Sequence, residues 1–143
     1  MVRTFNKASL ALVVSLAAQL YAAAAFAAPP TSVVGTWTAR VNHANEVLTI
    51  TNQGASGRCK LIIGTIAPAG ANVAAPIRGF YCSNTGRLQF LHNNIATNDT
   101  VRVFTGNLSD REVEFPDEMA GTFTVVNPAF GPFGEHNFSA IKE

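Results

Sequence analysis

After residue 30 the sequence offers no window in which apolar residues recur at i, i+3, i+4 and i+7. Gly, Pro, Asn and Asp interrupt it roughly every eight to twelve residues. Short β-branched and aromatic runs lie between the interruptions. That punctuation excludes a helical body and leaves an all-β barrel or sandwich. Eight strands are predicted: Gly35–Val41, Glu46–Asn52, Arg58–Ile66, Pro76–Ser83, Arg87–His92, Thr100–Leu108, Met119–Val126 and Asn137–Lys142. His43-Ala44-Asn45, Gln53-Gly54-Ala55-Ser56-Gly57 and Asn84-Thr85-Gly86 supply the first turns, with residues that tolerate left-handed backbone. Strands joined by short turns pair most simply as antiparallel neighbours, and an eight-stranded up-and-down barrel closes such a series with no exposed edge.

The N-terminus reads differently. Met1 to Lys7 carries Arg3 and Lys7, Ala8 to Phe26 carries no charge, and the run ends in Ala25-Phe26-Ala27 before Ala28-Pro29-Pro30. A basic start, a short apolar core and an Ala-x-Ala site make a cleavable signal peptide. A membrane anchor is disfavoured because the run is rich in weakly apolar Ala. The expected organisation is a signal peptide over 1–27, an extended N-terminal segment over 28–34 and a β-barrel domain over 35–143. The expected location is secreted or periplasmic, without membrane attachment after cleavage.

Cleavage after Ala27 leaves 116 residues with 8 Lys and Arg against 9 Asp and Glu, a net charge of −1. No basic stripe marks a nucleic-acid partner. In an oxidising compartment Cys59 and Cys82 are expected to pair. Pairing them across a hairpin of the third and fourth strands sets Leu61 opposite Phe80 and Ile63 opposite Arg78. Opposed Cβ atoms lie roughly 4.5–5.5 Å apart, within reach of a disulfide at a non-hydrogen-bonded pair.

Chemistry is sparse. The chain has no Gly-x-Ser-x-Gly and no His-Glu-x-x-His, and its histidines (His43, His92, His136) have no metal-ligand spacing, so neither an enzyme nor a cofactor or metal is expected. Asp110 to Glu118 gathers five of the nine acids without the Gly and Asp/Asn spacing of a calcium loop, and reads as a solvated hairpin loop. Asn98-Asp99-Thr100, Asn107-Leu108-Ser109 and Asn137-Phe138-Ser139 match glycosylation acceptors, meaningful only in a host that glycosylates. Aromatic residues recur at strand centres: Trp37, Phe80, Tyr81, Phe90, Phe104 and Phe123. By alternation Trp37, Ala39 and Val41 share one face of the first strand. An eight-stranded barrel is filled by such side chains or holds one small ligand among them.

Gly35-Thr36-Trp37-Thr38, Leu61-Ile62-Ile63-Gly64-Thr65-Ile66 and Val103-Phe104-Thr105-Gly106 resemble strand motifs of the avidins and, for Gly-x-Trp, of the wider lipocalin-like barrels. The resemblance extends over nearly all of residues 34–142 and implies an avidin-like eight-stranded barrel. It does not carry biotin binding. Ala39, Ile66 and Phe123 stand where the family has polar Asn, Tyr and Trp, and one Trp replaces several. Unmade hydrogen bonds to a buried ureido group cost roughly 1–3 kcal/mol each.

The expected function is that of a non-catalytic binding protein for a small apolar ligand in one barrel mouth. Trp37, Phe104 and Phe123 would form the wall, and Phe130 and Phe133 a lid in the loop 127–136, with Trp37 fluorescence reporting the ligand. The alternative is a protein-binding module such as a hydrolase inhibitor, using the segment from Ala28 to Ser32. Val47, Ile62 and Val125, read as outward positions, would serve a homo-oligomer.

Overall fold

The computed structural model describes residues 28–93, 100–109, 116–127 and 129–143. The signal segment 1–27, the acceptor Asn98 and residues 110–115 of the acidic stretch lie outside them. Eight strands follow in order: β1 (Gly35–Val41), β2 (Ala44–Gln53), β3 (Lys60–Pro68), β4 (Ala75–Cys82), β5 (Arg87–Asn93), β6 (Val101–Ser109), β7 (Glu118–Asn127) and β8 (Gly131–Lys142). Each pairs antiparallel with its successor, and β8 returns to β1 through partners from Trp37↔Lys142 to Val41↔Phe138. The result is the expected all-β, closed, up-and-down barrel.

Period-two alternation builds the interior. Trp37, Ala39 and Val41 of β1 are buried, as are Leu48 and Ile50 of β2, Ile62 and Ile66 of β3, Ile77 and Tyr81 of β4 and Leu88 and Phe90 of β5. Phe104, Leu108, Met119, Phe123, Phe138 and Ala140 complete the core from β6, β7 and β8. Fully burying one such side chain stabilises the fold by about 1.5–3 kcal/mol. The expected outward set is corrected here. Ile62 is buried in the core and Val125 packs against it, whereas Val47, between inward Glu46 and Leu48, does face out. On β3 the outward residues are therefore Leu61 and Ile63.

Cys59 and Cys82 are bonded, and Leu61↔Phe80 and Ile63↔Arg78 are register partners, as the hairpin argument required. Two inward glycines mark places where strands crowd. A Cβ on Gly79 would lie 2.0 Å from the Gln89 carbonyl oxygen, and one on Gly106 2.5 Å from that of Ala120 and 3.0 Å from the Phe138 ring. Glycine at such points lets a sheet of large side chains curve into a narrow barrel.

The two ends differ. At one end meet the starts of β1, β3, β5 and β7, and the disulfide lies there. The segment 28–34 is bonded into the same end. Tyr81 donates its hydroxyl to the Pro30 carbonyl, and the Gln53 amide donates to Thr31 O (2.9 Å) while accepting from Val33 N (2.9 Å). Val33 is buried, and its carbonyl accepts from Trp37 Nε1 at 3.0 Å. This end is closed. The opposite end, the mouth, carries the Asn42–His43 turn, the 69–74 connection and the turn at Ala129 and Phe130.

Candidate functional site

Below the mouth, alternation carries three ionisable side chains inward. Glu46 is in phase with Leu48 and Ile50 on β2, His92 with Leu88 and Phe90 on β5, and Arg102 with Phe104 on β6. Glu46 is 6% and His92 8% exposed, a rare depth for such groups unless they are paired. They are paired. Arg102 Nη1 and Nη2 donate to Glu46 Oε1 and Oε2 at 2.7 and 3.2 Å, a two-pronged bond reaching across the barrel from β6 to β2. Arg102 Nε donates to His92 Nδ1 at 2.8 Å, between register partners on β5 and β6.

A guanidinium can only donate, so His92 Nδ1 is unprotonated and the imidazole is neutral with its proton on Nε2. Burial, and then the Arg102 charge, lower the His92 pKa from 6.5 to about 4. Two of the five Arg102 N–H groups beyond these bonds have no partner within the triad, and the side chain keeps 20% of its surface, so the guanidinium faces the mouth.

An aromatic row forms the floor. Phe90, Phe104, Phe123 and His136 are successive register partners on β5 to β8. Phe90 stacks on Phe104 at 4.5 Å, Phe104 on Phe123 at 5.0 Å, and Phe138 meets Phe90 and Phe104 edge-on at 6.3 and 5.2 Å. His136 lies 5.2 Å from Phe123, and the Arg102 guanidinium sits 5.6 Å over the Phe104 ring.

The structure brings Phe104 and Phe123 together in this row and sets Trp37 apart from them. Trp37 lies in the closed half, its indole bonded to Val33 and covered by Lys142 Nζ at 5.6 Å, and Lys142 is itself paired with Asp117 at 3.1 Å. Its fluorescence therefore reports the closed end. The lid loop is corrected too. β7 and β8 are joined by a short turn in which Phe130 N donates to Asn127 O at 3.2 Å, so Phe133 lies on a strand. Phe130 and Phe133 are exposed beside the mouth, and Val73 is exposed on the 69–74 connection across it. Glu46, His92, Arg102 and His136 were missed as a site. The same alternation that assigned Trp37, Ala39 and Val41 to one face would have placed them inside.

Fold and site together define a closed eight-stranded antiparallel barrel with a sealed end and an ionised, aromatic-floored mouth. The chain matches no known protein family, and no curated protein is detectably similar to it. No helix of the described residues is long and apolar enough to cross a membrane, and the disulfide suits an oxidising, extracellular setting.

Proposed function

We propose that this is an exported, secreted or periplasmic, non-catalytic binding protein that takes a small ligand at the ionised mouth. The ligand has an apolar, preferably aromatic, body and one carboxylate-like acceptor. The Glu46–Arg102–His92 set carries this reading. A buried ion pair adds little stability over well-packed apolar residues of the same volume, so its presence near one end of the barrel, where the Arg102 side chain keeps 20% of its surface, is better explained by recognition than by folding. Arg102 offers its unused N–H groups to the acceptor, Glu46 and His92 fix its plane, and the half-buried His136 ring, backed by buried Phe123, is the aromatic group that would meet the body. The Glu46 carboxylate and the His92 Nδ1 are both engaged by Arg102, and binding asks no more of them than to hold it.

The test is a thermal-shift and heteronuclear NMR titration with small aromatic carboxylates and their uncharged amides. Carboxylates should raise the melting temperature saturably and shift the Arg102 and His92 side-chain signals, and amides should do so far less. Arg102→Met should abolish the difference. A panel in which no carboxylate binds more tightly than its amide would overturn the reading.

A further inference from the structure

Between residues 47 and 98 the sequence contains no Asp or Glu but holds Arg58, Lys60, Arg78 and Arg87. The topology gathers this stretch on one side of the barrel, because β3, β4 and β5 are neighbours. Arg58, Arg78 and Arg87 are exposed, whereas Lys60, in phase with buried Ile62, is half-buried at the start of β3 and is not part of the outer face. Among them stand large apolar side chains that the barrel leaves in solvent: Phe80 at 54%, Leu91 at 49% and Ile63 at 43% exposure. Leu61, Arg78, Phe80, Gln89 and Leu91 line a mostly apolar groove of about 330 Å³ over the Gly79 backbone. A contiguous patch of this kind marks an interaction surface, and its charge calls for an anionic partner.

The same molecule carries the complement on its other side. Strand β8 lies four places from β4 in the ring of eight. It presents exposed Glu135 and Ile141, with exposed Glu143 following and accepting from Thr38 Oγ1 at 2.7 Å. Arg40 on β1 is the outward cation of that sector among the described residues, and Lys142 there is already paired with Asp117. The barrel wall is thus basic and apolar on β3–β5 and acidic and apolar around β8.

We propose that the partner of the β3–β5 face is a second copy of this chain, docking through the acidic wall around its β8. The contact joins two different patches, so it is heterologous, and patches on opposite sides of a barrel repeat by stacking into an open row. Three strands of this length present roughly 26 by 14 Å in plan, about half of the ~800 Å² per partner of a stable interface, so each contact is weak, with a Kd in the range of ~10–100 μM. The mouth is outside the contact, and ligand binding there is independent of it.

Sedimentation velocity on the mature chain reads this directly. The weight-average sedimentation coefficient should rise continuously with protein concentration at low salt, and association should weaken roughly tenfold at high salt, where exposed charges are screened. Arg78→Glu and Glu135→Arg, both at exposed positions, should each leave a monomer with an unchanged melting temperature. Mixed, the two variants should form a capped one-to-one pair, since each retains the face the other has lost. Phe80→Ser should abolish association at every salt concentration.

A chain that stays monomeric to ~100 μM at low salt overturns the proposal. So does a mixture that fails to pair, which signifies a symmetric contact. Binding of a poly-glutamate peptide in an Arg78-dependent way by a chain that does not self-associate assigns the face to a different acidic protein and likewise overturns it.

Discussion

At the residue scale the most informative side chain is His92. Its imidazole is held neutral between a buried carboxylate–guanidinium pair and an aromatic floor, with its pKa lowered from 6.5 to about 4. The folded state therefore binds fewer protons than the unfolded state between those values, and stability rises with pH across that window. Above pH 6.5 the His92 contribution is complete. It is lost as pH falls from 6.5 towards 4, and below 4 the loss is full, at about 3 kcal/mol. Protonation of Nδ1 removes the acceptor of the Arg102 Nε bond and sets two cations side by side. Urea unfolding at a series of pH values should show this slope, and His92→Gln, whose amide oxygen can still accept from Arg102, should flatten it. An unchanged slope in that variant would assign the acid sensitivity elsewhere. The triad was legible only in part. Each member is in phase with core residues of its own strand, but the pairing of Glu46 with Arg102 depends on which strands face each other across the barrel. That is a property of closure and not of any local pattern.

At the element scale, strand existence was written in turn chemistry and alternation. β1 spans the residues expected of it, β5 is one residue longer at its end, and β7 is one residue longer at each end. β8 is the exception, expected from Asn137 and observed from Gly131. Pro132 and Gly134 read as loop residues, yet Gly134 takes a left-handed φ of 83° where the β7–β8 register shifts between Thr124 and Val126. A bulge absorbs glycine inside a strand, so its sequence imitates a turn. Ile62 failed for a related reason. In a run of Leu61-Ile62-Ile63 the apolar pattern does not say which residues face inward, and the register pairs Leu61 with Phe80 without naming the inner face; closure buries Ile62 with Tyr81 and leaves Phe80 outside. The curvature of these strands rests on their glycines. At Gly79 a methyl group would strike the Gln89 carbonyl oxygen and Phe90 backbone, neither of which can rotate away. Gly79→Ala should therefore cost about 2–4 kcal/mol in chemical denaturation, above the ordinary range for an added methylene because backbone and not a side chain must move. A loss below about 0.5 kcal/mol would show that β4 and β5 separate freely.

At the scale of the whole molecule, closure leaves two ends to manage, and the chain treats them oppositely. The mouth retains charge, whereas the other end is sealed by the segment 28–34, which the expected cleavage after Ala27 would leave whole. As a projecting arm this segment was the basis for the inhibitor alternative. It is instead bonded to Tyr81 and Gln53 and buries Val33 against Trp37. Burial of Val33 contributes about 1.5 kcal/mol and each hydrogen bond about 1 kcal/mol, partly offset by the entropy of ordering the segment. A chain beginning at Val34 should therefore be about 2–3 kcal/mol less stable than one beginning at Ala28. It should also lose the cover over the indole, so Trp37 emission should shift to longer wavelength and become quenchable by acrylamide. The pH slope of His92 should persist, because the triad lies at the far end of the barrel. Loss of that slope would mean that the two ends fold as one cooperative device. Unchanged Trp37 emission would show that the closed end is sealed by Lys142 and the strand ends alone, and that the segment is free to serve a partner.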